Sequence, residues 1–351
     1  MAVFDHSSIS PDVSLCIQAS CGESISALLS SDGHLYTAGS AEFGQLGNGT
    51  TGEHIVKAGK IEYDNSTKFI RRSVFCQSES DAAGGVATNM MTGKGVDSTG
   101  KVRCLTLEDS GQICLSHVSC GKHHTVAVEA PSTVDGSSAT PRVFTWGSGD
   151  YGRLGHGIQA DEYTPRLVAG LRGPIFANNS PVSAVAGSNC TLIKTKNGHV
   201  YYVGRHRSVG EATMRPTLVN ELANNGHVVT AISAGSQTVF CSTKSGVTVS
   251  WGVGNHGELG YGKGENKSSS KPRFVNELDS CLVTNVACGM GHTLFVVRNE
   301  DKEDAKALKK VSKVEETDLS DFVDQMKAKE GDSDEKLGEP TKKKQKGKGK
   351  K

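Results

Sequence analysis

Three histidines are the residues of this sequence with the clearest chemical potential. His123 and His124 are adjacent, and His292 occupies the place of His124 in a second copy of the same short phrase. Imidazole can bind zinc or transfer protons, but zinc sites use spacings such as HxxxH or HExxH with carboxylates close by. Neither spacing occurs here. We therefore predict no metal site, and we interpret the recurring histidine as a hydrogen-bonding link between strands.

Residues 147–152 have the spacing G-x-G-x-x-G of a dinucleotide-binding turn. Such a site also needs a helix that opens at the last glycine, because the helix amides bind the phosphates. Gly155 and Gly157 disfavour a helix there. The same pattern returns at Gly252, and a cofactor-binding motif would not be expected to repeat along the chain. A P-loop and a G-x-S-x-G nucleophile turn are also absent from the sequence. We predict no cofactor, no catalytic residue, no small-molecule substrate and no bond-making enzyme.

Two short phrases recur along the chain. The first is a small residue, a glycine, two variable residues and a short apolar run, and its glycines are Gly22, Gly121, Gly187, Gly235 and Gly289. The second is an apolar run ending in glycine, followed after a loop by G-x-L-G. Its copies contain Gly39, Gly44 and Gly47, then Gly147, Gly152 and Gly155, then Gly252, Gly257 and Gly260, with a partial copy at Gly204. The spacing indicates a structural unit of about 50 residues.

Each unit contains several short β-type runs separated by glycines that suit tight turns or close backbone approach. A sheet of this size cannot bury its own faces, so neighbouring units must stack on one another. An all-β propeller of four-stranded blades meets both conditions. No apolar run reaches the roughly 18 residues of a membrane helix, and we predict no membrane contact.

The paired phrases resemble the repeats of the regulator-of-chromosome-condensation (RCC) family, whose members form seven-bladed propellers. Within that family, three stretches are more similar to the mitotic paralogue of the regulator than to the nuclear exchange factor. They are residues 60–64 followed by Arg71 and Arg72, residues 149–156, and residues 257–262. The resemblance covers residues 15–299, which we expect to form the propeller.

This stretch is short for seven blades. We count four units and a half unit, and expect an incomplete ring of four to five blades that lacks two or three N-terminal repeats. Residues 77–111 interrupt the first interval and begin with a run rich in Ser, Gly, Ala and Asn, which predicts a mobile insertion. A degenerate extra blade is the alternative for this stretch. Residues 1–14 are polar and predicted to be disordered.

The charges divide the chain into a body and a tail. Residues 300–335 carry a net charge of −6 and residues 336–351 one of +7, which leaves the body neutral. Residues 300–351 are therefore predicted to form a solvated tail. Apolar residues at helical spacing, Leu319, Phe322, Val323 and Met326, predict a short helix over residues 318–329. The Lys-rich end, residues 342–351, contains Lys342, Lys343, Lys344 and Lys346, and it is typical of a nuclear localisation or polyanion-binding segment.

The ten cysteines include no Cys-x-x-Cys pair. The chain is long, and no secretory signal is recognised at its start, so we expect free thiols in a reducing compartment.

The resemblance implies a regulator that binds small GTPases in chromosome and mitotic-spindle processes, with guanine-nucleotide exchange as one form of that regulation. It also places His124, Asp150 and His292 near the face that meets the GTPase. The alternative is an interaction scaffold on chromatin, centromeres or microtubules that lacks exchange activity, with DNA, chromatin or microtubules contacted through the Lys-rich end. The expected location is nuclear, on chromosomes, centromeres or spindle in mitosis, and also cytoplasmic.

Overall fold

Short antiparallel sheets follow one another along the chain, each built from consecutive strands. The computed structural model describes residues 15–73, 75–76, 104–105, 113–134, 137–205, 211–262 and 267–311, all within one compact unit that ends at Val311. The predicted N-terminal segment 1–14, the helix 318–329 and the Lys-rich end 342–351 lie outside these residues, as does most of the stretch 77–111.

Blade 1 is a four-stranded sheet in the order β1-β2-β3-β6. Two very short strands, β4 and β5, form a hairpin in the long loop before its outer strand. The strands are β1 (Cys16–Cys21), β2 (Ile25–Ser30), β3 (Leu35–Gly39), β4 (His54–Ile55), β5 (Ile61–Glu62) and β6 (Ser66–Arg72).

Blade 2 has the same four-stranded core, β9-β10-β13-β14, and two short strands, β7 and β8, extend it at its outer edge. A further hairpin, β11–β12, lies between β10 and β13. The strands are β7 (Phe75–Cys76), β8 (Cys104–Leu105), β9 (Leu115–Cys120), β10 (His124–Glu129), β11 (Ser132–Val134), β12 (Ser137–Ala139), β13 (Val143–Gly147) and β14 (Glu162–Leu167).

Blades 3 and 4 repeat the antiparallel order, and a one-turn helix precedes each of them. Blade 3 is complete although its second sequence phrase is only partial. The elements are α1 (Pro174–Ala177), β15 (Pro181–Ala186), β16 (Cys190–Thr195), β17 (Val200–Gly204), β18 (Thr213–Leu218), α2 (Asn220–Ala223), β19 (Val229–Ala234), β20 (Thr238–Thr243), β21 (Thr248–Gly252) and β22 (Ser269–Phe274).

Blade 5 has only two described strands, β23 (Val283–Cys288) and β24 (Thr293–Val297). After β24 the chain turns into the helix α3 (Lys302–Leu308), where the other blades form a hairpin to a third strand. Asp304 holds this turn because its carboxylate accepts hydrogen bonds from Arg298 Nε, at 2.7 Å, and from the Glu300 amide. The sequence did not predict this helix at the start of the charged tail.

The hydrophobic core lies between the blades, because successive residues of each second strand point to opposite neighbours. In β10, Val126 and Val128 pack with Ala184 and Ala186 of blade 3, whereas Ala127 belongs to the cluster shared with blade 1. All three β10 residues are fully buried. Four blades and a half blade stacked in this way form an open ring, which confirms the predicted all-β propeller.

Blades 1 and 2 touch directly, since β1 and β2 both contact β9. The two blades are therefore neighbours in the ring, and the mobile insertion and its alternative, a degenerate blade, stay predictions for the stretch 77–111, most of which lies outside the described residues. The strand that leads into it is anchored, because Phe75 is 2% exposed and its ring centroid lies 5.0 Å from that of Phe144.

The first-phrase glycines are where neighbouring blades approach each other most closely. A Cβ atom on Gly121 would lie 2.2 Å from the Gly187 carbonyl oxygen, and one on Gly235 would lie 2.5 Å from that of Gly289. The Lys122 amide also donates to the Gly187 carbonyl at 3.2 Å, so the backbones are hydrogen-bonded where they meet. The second-phrase glycines have a different reason, because they adopt positive φ, as Gly147 does at 103°. Both uses are available only to glycine at low cost.

Candidate partner-binding face

One edge of every complete blade carries the turn between its first two strands and the loop between its last two. In blade 1, Gly39 pairs with Ile25 and with Ser66, which places both connections at the same edge. We call this side of the ring the loop face. It comprises the turns at residues 22–24, 121–123, 187–189, 235–237 and 289–291 and the described residues of the loops that follow Gly39, Gly147, Gly204 and Gly252.

Asp150 and Tyr151 form the tip of the loop of blade 2. Asp150 is exposed and begins a 3-10 turn that ends at Gly152. Tyr151 has φ 59° and ψ 14°, a left-handed conformation that is uncommon for a residue with a side chain. The Arg205 guanidinium lies 4.0 Å from the centre of its ring, and the Arg153 guanidinium lies 5.4 Å away. Such cation–π contacts hold the tip in a defined position.

Arg153 fastens this tip to the neighbouring blade. Its side chain is 2% exposed, its Nε donates to the Asp150 carbonyl at 2.9 Å, and its Nη1 donates to the Ser188 carbonyl of blade 3 at 3.0 Å. Burial lowers the pKa of Arg153, while Asp150, Tyr151 and Asp161 oppose that shift. The loop is thus cross-linked to the next blade by a buried arginine.

Asp161 closes the same loop from its other end. Its Oδ1 accepts a hydrogen bond from the Gly149 amide at 2.8 Å. Burial raises the pKa of Asp161, with the carboxylate of Asp150 adding to the rise and the Gly149 amide opposing it. The loop therefore exposes the carboxylate of Asp150, whereas the carboxylate of Asp161 is hydrogen-bonded within the loop.

His124 lies beneath this face and is fully buried. Its Nε2 is 2.9 Å from Thr191 Oγ1, and that hydroxyl donates in turn to the Arg153 carbonyl at 2.7 Å. Since the hydroxyl proton is used there, His124 must donate its Nε2 proton to Thr191. Burial, followed by Arg153, holds the pKa of His124 well below its usual range. The neutral ring therefore links blade 2 to blade 3, and it offers no exposed surface to a partner.

His292 is exposed in blade 5, at the edge of the first-phrase turn. Its ring lies beside Gly289, as the ring of His124 lies beside Gly121. Blades 3 and 4 separate His292 from Asp150. The three residues that the resemblance placed at the partner face are therefore not one cluster: Asp150 and His292 are separate exposed points on it, and His124 supports it from within.

Other residues of the loop face were missed by the sequence reasoning. Phe43, Tyr151 and His256 occupy the same position in their loops, one residue before the first glycine of G-x-L-G. Phe43 stacks on His123 with ring centroids 4.4 Å apart. Glu23 pairs with Lys122 at 3.3 Å at the same boundary between blades 1 and 2. An aligned comparison of the loops would have revealed the recurring ring, but not the arginine beneath Tyr151.

Within the described ranges, no three or more His, Cys, Asp or Glu side chains are grouped so that they could hold a metal ion. Eight cysteines whose side chains the structure describes are free thiols, namely Cys16, Cys21, Cys114, Cys120, Cys190, Cys241, Cys281 and Cys288. No helix in the described part of the chain combines the length and apolar character that crossing a membrane requires.

The sequence profile of the "Regulator of chromosome condensation (RCC1) repeat" matches residues 142–193 and 246–296. The chain belongs to the RCC1-repeat family. Each matched segment begins at the third strand of one blade and ends in the second strand of the next, as residues 142–193 run from β13 to β16. A sequence repeat of this family therefore joins two adjacent blades, and the half blade β23–β24 completes the second matched repeat.

The chain is similar in sequence to RCC2 proteins of two vertebrates. It is 30% identical over 295 residues to the protein RCC2 homolog of Xenopus laevis, covering 84% of this chain and 50% of that protein. It is 30% identical over 292 residues to protein RCC2 of Homo sapiens, covering 83% and 49%. The chain spans about half the length of these relatives. The predicted resemblance to a paralogue of the regulator is confirmed.

Among solved structures, human WBSCR16 has the same fold with a TM-score of 0.56. The sequences are 18% identical, and the match covers 84% of this chain and 60% of that one. At this identity the likeness concerns the fold alone.

Proposed function

We propose that this RCC1-repeat chain acts by binding, without bond-making chemistry, and that its loop face binds a small GTPase in chromosome and mitotic-spindle processes. The observation that carries the proposal is the exposed Asp150–Tyr151 tip, which Arg153 cross-links to blade 3. A loop that is already ordered loses little conformational entropy when a partner docks on it. The carboxylate of Asp150 supplies a point for a cationic group of the partner, and the half-buried ring of Tyr151 supplies apolar contact area.

Guanine-nucleotide exchange is the finer form of this proposal. Exchange needs no covalent step, since a surface that binds the nucleotide-free GTPase more tightly than the loaded one shifts the equilibrium toward release. A stiff face suits this task because it does not adapt to both states. Asp150 and His292, two exposed points separated by two blades, would fix how the partner is oriented on the ring.

The test is a panel of purified small GTPases loaded with a fluorescent GDP analogue. Immobilised full-length chain is first tested for binding to each GTPase in the nucleotide-free and loaded forms. Release of the analogue is then followed with and without the chain. Preferential capture of a nucleotide-free GTPase with faster release supports exchange, and capture without faster release supports regulation by binding alone. Capture of none overturns the proposal.

A scaffold on chromatin, centromeres or microtubules is the second candidate, and the Lys-rich end is the observation that favours it. Lys342, Lys343, Lys344 and Lys346 can release counterions from phosphates or contact an acidic microtubule surface. The run contains no aromatic residue, so such binding would not depend on nucleotide sequence. We propose that it also directs the protein to the nucleus.

Replacing these four lysines by alanine in the full chain tests the scaffold. Binding to DNA or microtubules should weaken, and the slope of affinity against salt concentration should become shallower. Capture of a GTPase should be unchanged, because the loop face is intact. Unaltered polyanion binding and unaltered nuclear localisation would contradict this role.

A further inference from the structure

The two ends of the described blade series each expose a face that the other blades bury. We call the face of blade 5 formed by His292, Leu294 and Val296 the forward face. Leu294 is 66% exposed and Val296 is 59% exposed, whereas Val126 and Val128, at the same places in blade 2, are fully buried. The forward face is exposed because no described blade covers it.

We call the opposite face, on blade 1, the backward face, and it is formed by Ala19, Cys21 and Ser26. Ala19 and Cys21 are exposed in β1. Their counterparts in blade 3, Ala184 and Ala186, are buried beneath blade 2. This face is thus lined by small side chains in blade 3, where blade 2 covers it, and in blade 1, where it is exposed.

Every blade of this chain contacts its successor through the same strands. The first two strands of one blade pack on the first strand of the next, as β1 and β2 pack on β9, and as β19 and β20 pack on β23. Blade 5 possesses both of the strands that this contact needs, and blade 1 possesses the receiving strand. The strand part of a blade-to-blade contact is therefore present at both ends, whereas the third strand and the G-x-L-G loop, which blade 2 also contributes to its contact with blade 3, have no counterpart among the described residues of blade 5.

The contact between blades 2 and 3 shows what the two end faces would form together. There, Val126 and Val128 pack with Ala184 and Ala186, and His124 donates to the hydroxyl of Thr191 at 2.9 Å. On the blade 2 side of that contact, the residues Val126, Val128 and His124 correspond to Leu294, Val296 and His292 of blade 5. On the blade 3 side, Ala184, Ala186 and Thr191 correspond to Ala19, Cys21 and Ser26 of blade 1, so a serine hydroxyl replaces the threonine hydroxyl.

We propose that a second copy of this chain covers the forward face with its backward face, so that copies associate head to tail. Leu294 and Val296 pack on Ala19 and Cys21 of the partner subunit, and His292 donates its Nε2 proton to Ser26 Oγ of the partner subunit. The pairing of large residues on small ones matches that of blades 2 and 3. A contact between two different surfaces of identical chains is heterologous, and it can extend to further copies unless the arrangement closes.

Two variants test the two faces separately. Leu294→Asp places a charge on the forward face and Ala19→Asp places one on the backward face, both at exposed positions, so the fold of each copy should survive. Ile175→Asp, at a residue that is 73% exposed on α1, is the matched control away from both faces. Sedimentation velocity of the full chain over a range of concentrations measures association, and circular dichroism checks the fold.

The wild-type chain and Ile175→Asp should self-associate with rising concentration, and each face variant alone should stay monomeric. An equimolar mixture of the two face variants should form dimers and nothing larger, because one intact forward face and one intact backward face remain. His292→Ala should weaken association about tenfold, the usual size for one lost hydrogen bond to a group left unpaired. Ser26→Ala should do the same.

A wild-type chain that stays monomeric overturns the proposal, and would mean that the faces are covered by other residues of the chain or by a different protein. A face variant that still dimerises by itself would indicate a symmetric contact between two like faces and would also overturn the proposal, as would a mixture that stays monomeric while the wild type associates.

Discussion

His124 Nε2 lies 2.9 Å from Thr191 Oγ1, and this hydrogen bond joins the second strand of blade 2 to that of blade 3. The same threonine hydroxyl donates to the Arg153 carbonyl at 2.7 Å. The Arg153 carbonyl belongs to the loop that carries Asp150 and Tyr151. A buried polar chain therefore runs from the interior of the ring to the base of the loop that carries the Asp150–Tyr151 tip.

The threonine link recurs at other boundaries between blades. Thr293 Oγ1 donates to the Glu258 carbonyl at 3.0 Å, and Thr125 Oγ1 lies 3.4 Å from the Gln45 carbonyl. The carbonyl that accepts the hydrogen bond belongs to Gln45, Arg153 or Glu258, so the side chain at this position differs while the backbone contact is the same. Each G-x-L-G loop is thus tied to the next blade through its backbone, which leaves its side chains free to differ between blades.

Removal of the hydroxyl in Thr191→Val should lower the free energy of unfolding by about 1–3 kcal/mol, because the His124 donor and the Arg153 carbonyl both lose a buried partner. Thr191→Ser keeps the hydroxyl and is the control. Urea unfolding followed by fluorescence measures the difference. Equal losses for the two variants would show that the methyl group, rather than the hydrogen bonds, matters at this site.

Acid should destabilise the protein through histidines whose pKa is lowered in the folded state, such as the half-buried His117. Burial, followed by Lys194, lowers the pKa of His117 to about 4, below the usual 6.5. Between these values the unfolded chain binds a proton that the folded chain does not, so stability falls as the pH falls, at up to about 1.4 kcal/mol per pH unit. His117→Gln should remove that contribution, so the unfolding free energies of variant and wild type should converge on acidification. Parallel profiles would contradict the assignment.

The architecture could be predicted from the sequence because it depends on local rules that recur. The glycines of both phrases recur at fixed positions where close backbone approach or positive φ favours glycine, and the apolar runs between them have the length of strands. The spacing of the glycines therefore indicated blades. The histidine link could also be inferred, since His124 stands beside a threonine in a turn. That it joins two blades could not, because Thr191 is 67 residues away.

The details of the loop face depend on contacts between distant segments. Arg205 meets Tyr151 across a blade boundary, and Arg153 reaches Ser188 from a loop with no unusual composition. The helix α3 was missed for a related reason, since it is seven residues long and is stabilised by Arg298 and Asp304. Short elements of this kind are set by tertiary contacts more than by local propensity.

Gly121→Ala should be strongly destabilising, because the new methyl group would lie 2.2 Å from the Gly187 carbonyl oxygen of the next blade. The blades would have to separate at their hydrogen-bonded contact, at a cost of about 1–3 kcal/mol or more. Gly291→Ala is the matched control in another first-phrase turn, where the nearest atom would be 3.4 Å away. Thermal unfolding should show a lower midpoint for the first variant only, and equal midpoints would refute the argument.

Glu162 and Arg166 form a buried ion pair in β14, with side-chain exposures of 0% and 2%. Removing one charge leaves the other buried without its partner, so Glu162→Gln or Arg166→Met should each cost about 3–5 kcal/mol. The double variant removes both charges and should cost less than the two single losses added together. Chemical denaturation of all four proteins gives the coupling energy, and strict additivity would show that the two charges do not interact.

The Asp150–Tyr151 tip allows partner binding to be separated from stability. Tyr151 adopts φ 59°, which glycine adopts without strain. Tyr151→Gly should therefore keep or slightly raise the free energy of unfolding, within about 1 kcal/mol, although the contacts to Arg205 and Arg153 are lost. If the loop face binds a GTPase, the same variant should weaken capture because an aromatic contact has been removed.

Asp150→Asn is the companion variant, since it alters only charge at an exposed position and should leave unfolding unchanged. Loss of a charge-assisted contact should weaken capture of the GTPase about tenfold or more. Glu53→Gln, at an exposed carboxylate in a loop of blade 1, controls for a general effect of charge. A Tyr151→Gly protein of normal stability that captures the GTPase as well as the wild type does would remove the tip from the binding surface. The contact would then have to lie elsewhere on the loop face, with His292 the next residue to substitute.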